Sequence, residues 1–357
     1  ESQSVGDQTL LLRMRDVSGD YLSGPDEEEK RVELDQFLAN ETVVRAFELI
    51  EQAAARPRCN FDLPYELGPM MRATHINGML PVGAILSSKS VREAQRGEGK
   101  RAWRTIETNL QMINGLREEP LLFAAIVRIR LYQLVTSSIL RSYELVPPDA
   151  ETAVRLLDLL APADNIAPYI LSWDGERLFF GEWVFNSSSF ALSIGQALEP
   201  GNNVSYSMIQ RFILWLLEYR PWQQADHAAY LRAMNRAAEY IATPYWKIPP
   251  VERDNLSEET PGYFVITRML IPSPPPARMN SYLVPMQANL RIARTGIALK
   301  LHKASHGSYP AALAEIDPQF LREPLLDPFT GNPLVYRIEA DGFVLSSLGA
   351  HRTADGG

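Results

Sequence analysis

An aromatic-rich stretch near the middle of the chain carries two carboxylates that could act as a catalytic pair. Glu176 and Glu182 alternate there with six aromatic side chains, which are Tyr169, Trp173, Phe179, Phe180, Trp183 and Phe185. Two carboxylates beside aromatic rings are typical of a site that hydrolyses glycosidic bonds by acid and base catalysis. The same composition suits an ordinary core with solvated charges, and this spacing does not place both glutamates on one helix face. Both interpretations stay open.

Two shorter motifs are incomplete versions of known patterns. His302 and His306 have a spacing that can place two imidazoles on one metal ion, but no glutamate stands between them and His306 adjoins Gly307. We interpret the pair as a solvated cap at a helix end rather than a metal site. Ser193 lies in Ala-Leu-Ser-Ile-Gly, half of a nucleophile elbow, without the preceding strand that strains the serine. A polar loop is the favoured interpretation there.

The stretch 260–314 contains no acidic residue and six basic ones, although the chain as a whole is acidic. Four of the basic residues, Arg291, Arg294, Lys300 and Lys303, follow one another along a predicted helix. A positive face in an acidic protein predicts docking onto an acidic surface, either the chain's own N-terminal region or another protein. A solvated helix face explains the same pattern equally well.

The overall charge argues against a nucleic-acid partner. There are 35 Lys and Arg residues against 43 Asp and Glu residues, a net charge of -8 at pH 7. A second basic cluster at 89–104 lacks the interleaved aromatic side chains of a nucleic-acid platform. Cys59 is the only cysteine, which excludes an internal disulfide, a thiolate zinc cluster and a redox pair. These patterns predict no cofactor.

The longest apolar segment, 120–140, carries Arg128 and Arg130 near its middle. Charges at that depth in a bilayer are costly, so we interpret the segment as a buried helix and predict no membrane span in this chain. The chain starts at Glu1 rather than at methionine. A removed N-terminal signal or membrane anchor is therefore compatible with the sequence.

Turn and proline signals divide the chain into four parts. Residues 1–26 are expected to be an irregular lead-in, 27–243 an α-helical domain, 244–277 a proline-rich connector and 278–357 a small α+β module. In the helical domain, short breaks separate helical patterns, which predicts antiparallel helical hairpins stacked side by side. The arrangement would be a bundle or a tetratricopeptide-like solenoid. The predicted fold class is therefore mainly α.

The module is predicted to consist of one long helix and a β-hairpin. Its helix carries a single apolar stripe of Leu283, Met286, Leu290, Ala293, Ile297, Leu301 and Ala304. Pro285 is placed in the first turn of this helix, and Gly307 ends it. Strands at 334–338 and 343–348 are joined by Glu-Ala-Asp-Gly, which is a hairpin signal.

Three motifs of the module occur in the order found in a known family. They are a helix stop followed by Tyr309-Pro310, the turn Asp-Pro-Phe-Thr-Gly-Asn-Pro-Leu-Val-Tyr at 327–336, and Ser-Leu-Gly-Ala at 347–350. Over about residues 278–357 the chain thus resembles the soluble domain of type II secretion major pseudopilins. The resemblance implies a long helix packed against the hairpin. The helical part is similar to uncharacterised exported bacterial helical-repeat proteins.

The same resemblance implies a calcium site in the last loop, where Ser347 and Asp355 would supply oxygen ligands. His351 stands where the family has an aspartate, and imidazole is a poor calcium ligand, so a loop closed by hydrogen bonds is favoured. Pseudopilins polymerise through an apolar helix that directly precedes the long helix. Here the proline-rich residues 272–278 occupy that place. From the resemblance we therefore infer the fold of the module, but not assembly into a pseudopilus.

We expect a non-catalytic, extracytoplasmic bacterial scaffold or assembly subunit that binds other proteins. We expect it to have no nucleic-acid partner. Arg291, Arg294, Lys300 and Lys303 are its candidate protein-binding residues. The alternative is a helical hydrolase that acts on glycans through Glu176 and Glu182.

Overall fold

The computed structural model describes residues 2–23, 28–56, 58–186, 220–249, 265–270, 276–340 and 342–350. Within them the chain is mainly helical with a small two-stranded antiparallel sheet near the C-terminus, which confirms the coarse predicted class. The α-helices are α1 (Ser2–Ser23), α2 (Glu28–Leu38), α3 (Glu41–Ala54), α4 (Thr74–Gln95), α5 (Gly99–Gly115), α6 (Leu122–Leu145), α7 (Ala150–Leu160), α8 (Ala167–Glu176), α9 (Trp183–Asn186), α10 (Arg220–Ala242), α11 (Val265–Leu270) and α12 (Pro276–His306). A π-helical turn, Arg177–Glu182, joins α8 to α9. The strands are β1 (Val335–Glu339) and β2 (Gly342–Ser346). Short 3-10 turns are Tyr65–Met70, Leu116–Glu118, Ala161–Asp164, Tyr245–Lys247 and Leu313–Glu315.

The N-terminal segment is a helix, so the irregular lead-in predicted for residues 1–26 is wrong where the structure describes that segment. Met14, Val17 and Tyr21 recur at helical spacing and join a core cluster with residues of α4. The pair Ser18-Gly19 is typical of a turn, but the hydroxyl of Ser18 donates back to the carbonyl of Arg15 at 3.1 Å inside the helix. Burial of this apolar face outweighs the local turn signal.

The main hydrophobic core is built around α6, which contacts α4, α5, α8 and α12. Arg128 lies within this core because its guanidinium donates to the carbonyl of Leu116 at 3.2 Å and lies 4.4 Å from the ring of Tyr169. Among the described residues, α6 is the helix whose length and composition would allow a membrane crossing, and 67% of its most apolar 18-residue stretch is buried inside the protein. In this structure α6 is a core helix.

Helix α12 carries the predicted apolar stripe, which is buried from Leu283 to Leu301, while Ala304 is exposed. The helix begins at Pro276, so Pro285 lies in its interior and the prediction of a first-turn position is wrong. Gly307 follows the helix with a φ of 81°, the left-handed conformation that favours glycine at a helix stop. The stripe packs into the main core, and α12 therefore belongs to the helical part as well as to the C-terminal module.

The opposite side of α12 packs against the hairpin. Ala298 and Leu299 share a cluster with Leu313 and Leu334, and with partly buried rings from both strands. The strands pair in antiparallel register from Val335 opposite Ser346 to Glu339 opposite Gly342. The predicted hairpin is confirmed, with strand bounds shifted by one or two residues.

The proline-rich connector is not uniformly extended in the parts that the structure describes. Residues 265–270 form helix α11, and the Tyr245–Lys247 turn packs against the module. The ring of Tyr245 lies 5.8 Å from that of Phe329, and a Cβ on Gly331 would lie 2.6 Å from Trp246. Gly331 also has a φ of 73°, so the turn needs glycine for its backbone and for this close contact.

Candidate functional site

The predicted carboxylate pair lies on either side of the π-helical turn between α8 and α9. Glu176 ends α8, and Glu182 is the last residue of the π turn. Gly181 lies against the ring of Tyr230 so closely that any Cβ there would overlap the ring. The wider π turn and its glycine therefore bring α10 into direct contact with this segment, an arrangement often found at functional sites.

Glu182 is held by two neighbours. Its Oε1 lies 3.1 Å from Nε2 of His227, and its Oε2 accepts a hydrogen bond from Nδ2 of Asn186 at 3.1 Å. The imidazole of His227 stacks on Phe185 with ring centroids 4.4 Å apart. Glu182 is thus a fixed and partly buried hydrogen-bond acceptor for an imidazole.

Glu176 is in a different situation. Burial raises the pKa of Glu176 to about 7, and no hydrogen bond to its carboxyl group occurs within the described residues. Tyr230 is fully buried and its hydroxyl has no hydrogen-bond partner in the same part of the chain. Burial raises the pKa of Tyr230, and the carboxylates of Glu176 and Glu182 both add to that rise. The hydroxyl group of Tyr230 therefore interacts electrostatically with both glutamates.

The two carboxyl groups of this segment differ in their environments, which is the general pattern on which acid and base catalysis relies. Glu176 is divided between acid and carboxylate near pH 7, whereas Glu182 is held by hydrogen bonds. Sequence reasoning named both glutamates but missed His227 and Tyr230. These residues come from a helix more than forty positions further along the chain, and a π turn has no clear sequence signature. The alternative elbow serine, Ser193, lies outside the described residues.

The two histidines of α12 are organised around Asp317. Nδ1 of His302 accepts a hydrogen bond from the backbone N–H of Asp317 at 3.1 Å, and the His302 and His306 rings stack at 4.2 Å. Nε2 of His306 lies 3.8 Å from the Asp317 carboxylate. Across the residues that were searched, no three His, Cys, Asp or Glu side chains are placed to share a metal ion. The pair links the helix end to the following loop.

The four residues of α12 that were predicted to bind other proteins have partners within the chain. Arg291 makes a bidentate contact with Asp164, through Nε at 3.0 Å and Nη2 at 2.8 Å to Oδ1, and Arg294 lies 3.8 Å from the same carboxylate. The ammonium groups of Lys300 and Lys303 lie over aromatic rings, at 4.1 Å and 4.5 Å. The predicted acidic partner was either the chain's own N-terminal region or another protein. For the two arginines the structure gives an acid of the same chain, Asp164, which lies in the helical part and not in the N-terminal region.

The last loop is closed by a carboxylate that sequence reasoning did not place there. Oδ1 of Asp327 accepts hydrogen bonds from the hydroxyl of Ser347 and the N–H of Phe329, both at 2.9 Å, and Oδ2 accepts from the N–H of Leu348 at 2.8 Å. Ser347, the predicted calcium ligand, is engaged in this network. Asp355 and His351 lie outside the described residues.

A long apolar groove of about 840 Å³ crosses the surface between α1, α4, α6 and the first turns of α12. Its lining includes Leu12, Phe123 and Tyr282, all of which are exposed. Arg15 and Arg130 also line the groove, and none of the 18 lining residues that the structure describes is acidic. The groove therefore combines an apolar floor with a positive rim.

Comparison of the chain with protein-family models, with curated proteins and with solved structures gave no match.

Proposed function

We propose that this protein is a non-catalytic, extracytoplasmic bacterial scaffold or assembly subunit that binds other proteins. In this proposal the helical part is a stack of helical hairpins that presents the binding surface, and the C-terminal part is a pseudopilin-like module. The order of the three C-terminal motifs and the packing of α12 on the hairpin support the second assignment. Bacterial origin and location outside the cytoplasm rest on the same resemblance.

The observation that carries the proposal is the apolar groove between α1, α4, α6 and α12. Phe123 is 52% exposed at the start of α6, beside exposed Leu12 and Tyr282. A continuous apolar surface of this kind is typical of a protein interaction site. By contrast, the polar residues that suggested metal chemistry are engaged in contacts that hold the fold together.

The chemistry of the groove favours one kind of occupant, an amphipathic helix of a partner protein with carboxylates beside its apolar face. Such a helix can lay its apolar side chains into a groove of this type. Arg130 is exposed and hydrogen-bonds to Gln133 at 3.2 Å, and within the described ranges Arg15 pairs only with its exposed neighbour Asp16. Exposed pairs of this kind are weak, so both arginines can turn to a partner carboxylate.

The test compares two aspartate substitutions on α6. Phe123→Asp places a charge in the groove, and Leu140→Asp places one at a residue of similar exposure, 45%, that does not line the groove. The protein is purified from its native source with each substitution. We expect a partner subunit to co-purify at a fixed ratio with the unmodified chain and with Leu140→Asp. The partner should be lost from Phe123→Asp. A photoreactive residue placed at position 123 should crosslink to the same partner.

Three results would contradict the proposal. They are a lone monomer in every preparation, equal retention of the subunit by both variants, and a crosslink only to a second copy of this chain. Circular dichroism of both variants shows whether folding is intact, because exposed positions tolerate charge with little loss of stability.

A second candidate function, glycan hydrolysis, is favoured by the pKa of about 7 for Glu176. A carboxylic acid that keeps its proton near neutrality can protonate a leaving glycosidic oxygen. The test is release of reducing sugar from a panel of polysaccharides by the unmodified chain, Glu176→Gln and Asp174→Asn. Turnover that disappears only in Glu176→Gln would replace the scaffold proposal with this one.

A further inference from the structure

A second cavity, separate from the apolar groove, opens between α3, α4 and α5. It has a volume of about 610 Å³, within the usual range for pockets that hold small organic ligands. Its inner wall is apolar and includes Ile50, Met79, Val82 and Met112. This wall offers burial to the hydrocarbon part of a ligand.

Three arginines surround this cavity. Arg56 and Arg58 lie on the segment after α3, Arg117 follows α5, and none of them forms an ion pair with any residue in the described ranges. Elsewhere in the same helices arginines are paired, as Arg92 is with Asp35 at 2.7 Å. Among the described residues that line the cavity, Glu118 is the only acidic one, and it is exposed. The three guanidinium groups therefore leave a net positive cavity.

His75 and Phe61 line the same cavity, and His75 belongs to a polar cluster with Glu119 and Tyr65. His75 stacks on Phe61 with ring centroids 3.8 Å apart, and its Nε2 is buried without a hydrogen bond in the described part of the chain. That nitrogen lies 3.8 Å from the carboxylate of Glu119, which accepts a hydrogen bond from the hydroxyl of Tyr65 at 3.0 Å. These contacts fix the imidazole at the wall and leave the arginines as the groups that face solvent.

We propose that this cavity binds a small organic anion, with the hydrocarbon part of the ligand against the apolar wall and a carboxylate or phosphate group held by Arg56, Arg58 and Arg117. Guanidinium groups bind both kinds of head group through paired hydrogen bonds, which explains three arginines at one opening. An uncharged ligand of the same shape would leave them unused. The proposal is independent of the protein-binding groove, which shares no lining residue with this cavity.

Cys59 makes the proposal directly testable, because it is the only cysteine of the chain, is a free and exposed thiol, and lines this cavity. The rate at which iodoacetamide, an uncharged reagent, alkylates Cys59 reports access to the cavity. Decanoate and decyl phosphate are added as anionic probes, and decanol serves as the uncharged analogue. Isothermal titration calorimetry gives the affinity of the full-length chain for each probe.

We expect at least one anionic probe to slow alkylation of Cys59 about tenfold or more and to bind about tenfold more tightly than decanol, which is the gain that one charge-assisted hydrogen bond would give. The tighter of the two anions identifies the head group. Arg58→Gln and Arg117→Gln should each weaken anion binding about tenfold. Arg130→Gln, which alters the separate groove, should leave it unchanged.

The proposal is overturned if neither anion protects Cys59, if decanol binds as tightly as both anions, or if Arg130→Gln weakens binding as much as the cavity variants do. Each rate is normalised to that of the same variant without probe, so a change in thiol reactivity is not mistaken for a change in binding. A failure here would leave the groove and its partner test unaffected.

Discussion

Folding removes both Asp327 and Glu176 from water, but it supplies hydrogen-bond donors to only one of the two carboxyl groups. Asp327 is 1% exposed and accepts hydrogen bonds from two backbone N–H groups and one hydroxyl. Glu176 has no such donor among the described residues, and burial raises its pKa to about 7. Folding replaces the water around the Asp327 carboxylate with protein hydrogen-bond donors. Folding removes water from the Glu176 carboxyl group without supplying such a donor among the described residues.

This difference teaches how each group contributes to the molecule. Hydrogen bonds to a carboxylate offset its desolvation, so Asp327 can hold the turn, the second strand and the last loop together. An uncompensated carboxyl group instead makes folding dependent on pH, and it is the kind of group from which acid catalysis is built. The contrast can be tested by removing each carboxylate in turn.

Asp327→Ala should have the largest effect. The substitution leaves the N–H groups of Phe329 and Leu348 and the hydroxyl of Ser347 without their acceptor, so we expect a loss of about 3–5 kcal/mol in the free energy of unfolding. Urea unfolding followed by circular dichroism measures it. Asp327→Asn keeps one acceptor oxygen and should lose less. A loss below about 1 kcal/mol for the alanine variant would show that the network does not hold the module.

Glu176→Gln should change the pH dependence of stability. Because the pKa of Glu176 is raised from 4.5 in the unfolded chain to about 7 in the folded protein, the folded state binds more protons between those values. Stability of the unmodified chain should therefore fall as the pH rises from about 4.5 to 7, by up to about 3 kcal/mol, and then level off. The glutamine variant should lack this component.

Asp174→Asn is the matched control for that experiment. Asp174 lies on the same helix, but its side chain is 50% exposed and pairs with Arg177 at 3.7 Å. Unfolding free energies are measured at several pH values for the three proteins. Equal slopes for the unmodified chain and Glu176→Gln would mean that Glu176 is not desolvated, and would remove the basis for proposing it as an acid in glycan hydrolysis.

Asp164→Asn tests the junction between the helical part and α12. The pair of Asp164 and Arg291 is only 17% and 15% exposed, so removing one charge leaves the other partly buried. We expect a loss of about 1–3 kcal/mol in the free energy of unfolding. Glu151→Gln breaks the more exposed pair with Arg155 and should change stability by less than about 0.5 kcal/mol. Equal effects would indicate that α12 does not depend on this junction.

The parts of the fold that were predictable are those encoded in local periodicity. The stripe from Leu283 to Leu301 and the Gly342 hairpin depend on neighbours within a few residues, so their pattern is visible in the sequence. The N-terminal helix was missed because Ser18-Gly19 resembles a turn, while the burial that stabilises α1 is provided by α4, about seventy residues away. Tertiary packing overrides local preference there.

The candidate sites were less predictable for the same reason. Glu176 was predicted as a site residue from its own sequence neighbours, but Tyr230, whose pKa the Glu176 carboxylate helps to raise, comes from α10. Asp164 and Arg291 are 127 positions apart, and nothing in the sequence near either residue indicates the other. Side-chain types can be read from a single sequence, whereas the pairing of distant side chains depends on how the helices pack.

Ser347→Ala should have the smallest effect of the substitutions that remove a buried contact, and it tests the loop that the resemblance assigns to calcium. The Ser347 hydroxyl donates to Asp327 and accepts from the N–H of Gly349 at 3.1 Å, so its loss should lower the free energy of unfolding by about 1 kcal/mol. Millimolar calcium should leave the Tm of both proteins unchanged if hydrogen bonds alone close the loop. A bound ion would stabilise the folded state by mass action, so a calcium-dependent rise in Tm that is lost in Ser347→Ala would restore the calcium site. That outcome would also mean that Asp327 holds its neighbours as part of an ion site, and its contrast with Glu176 would then rest on a metal rather than on hydrogen bonds.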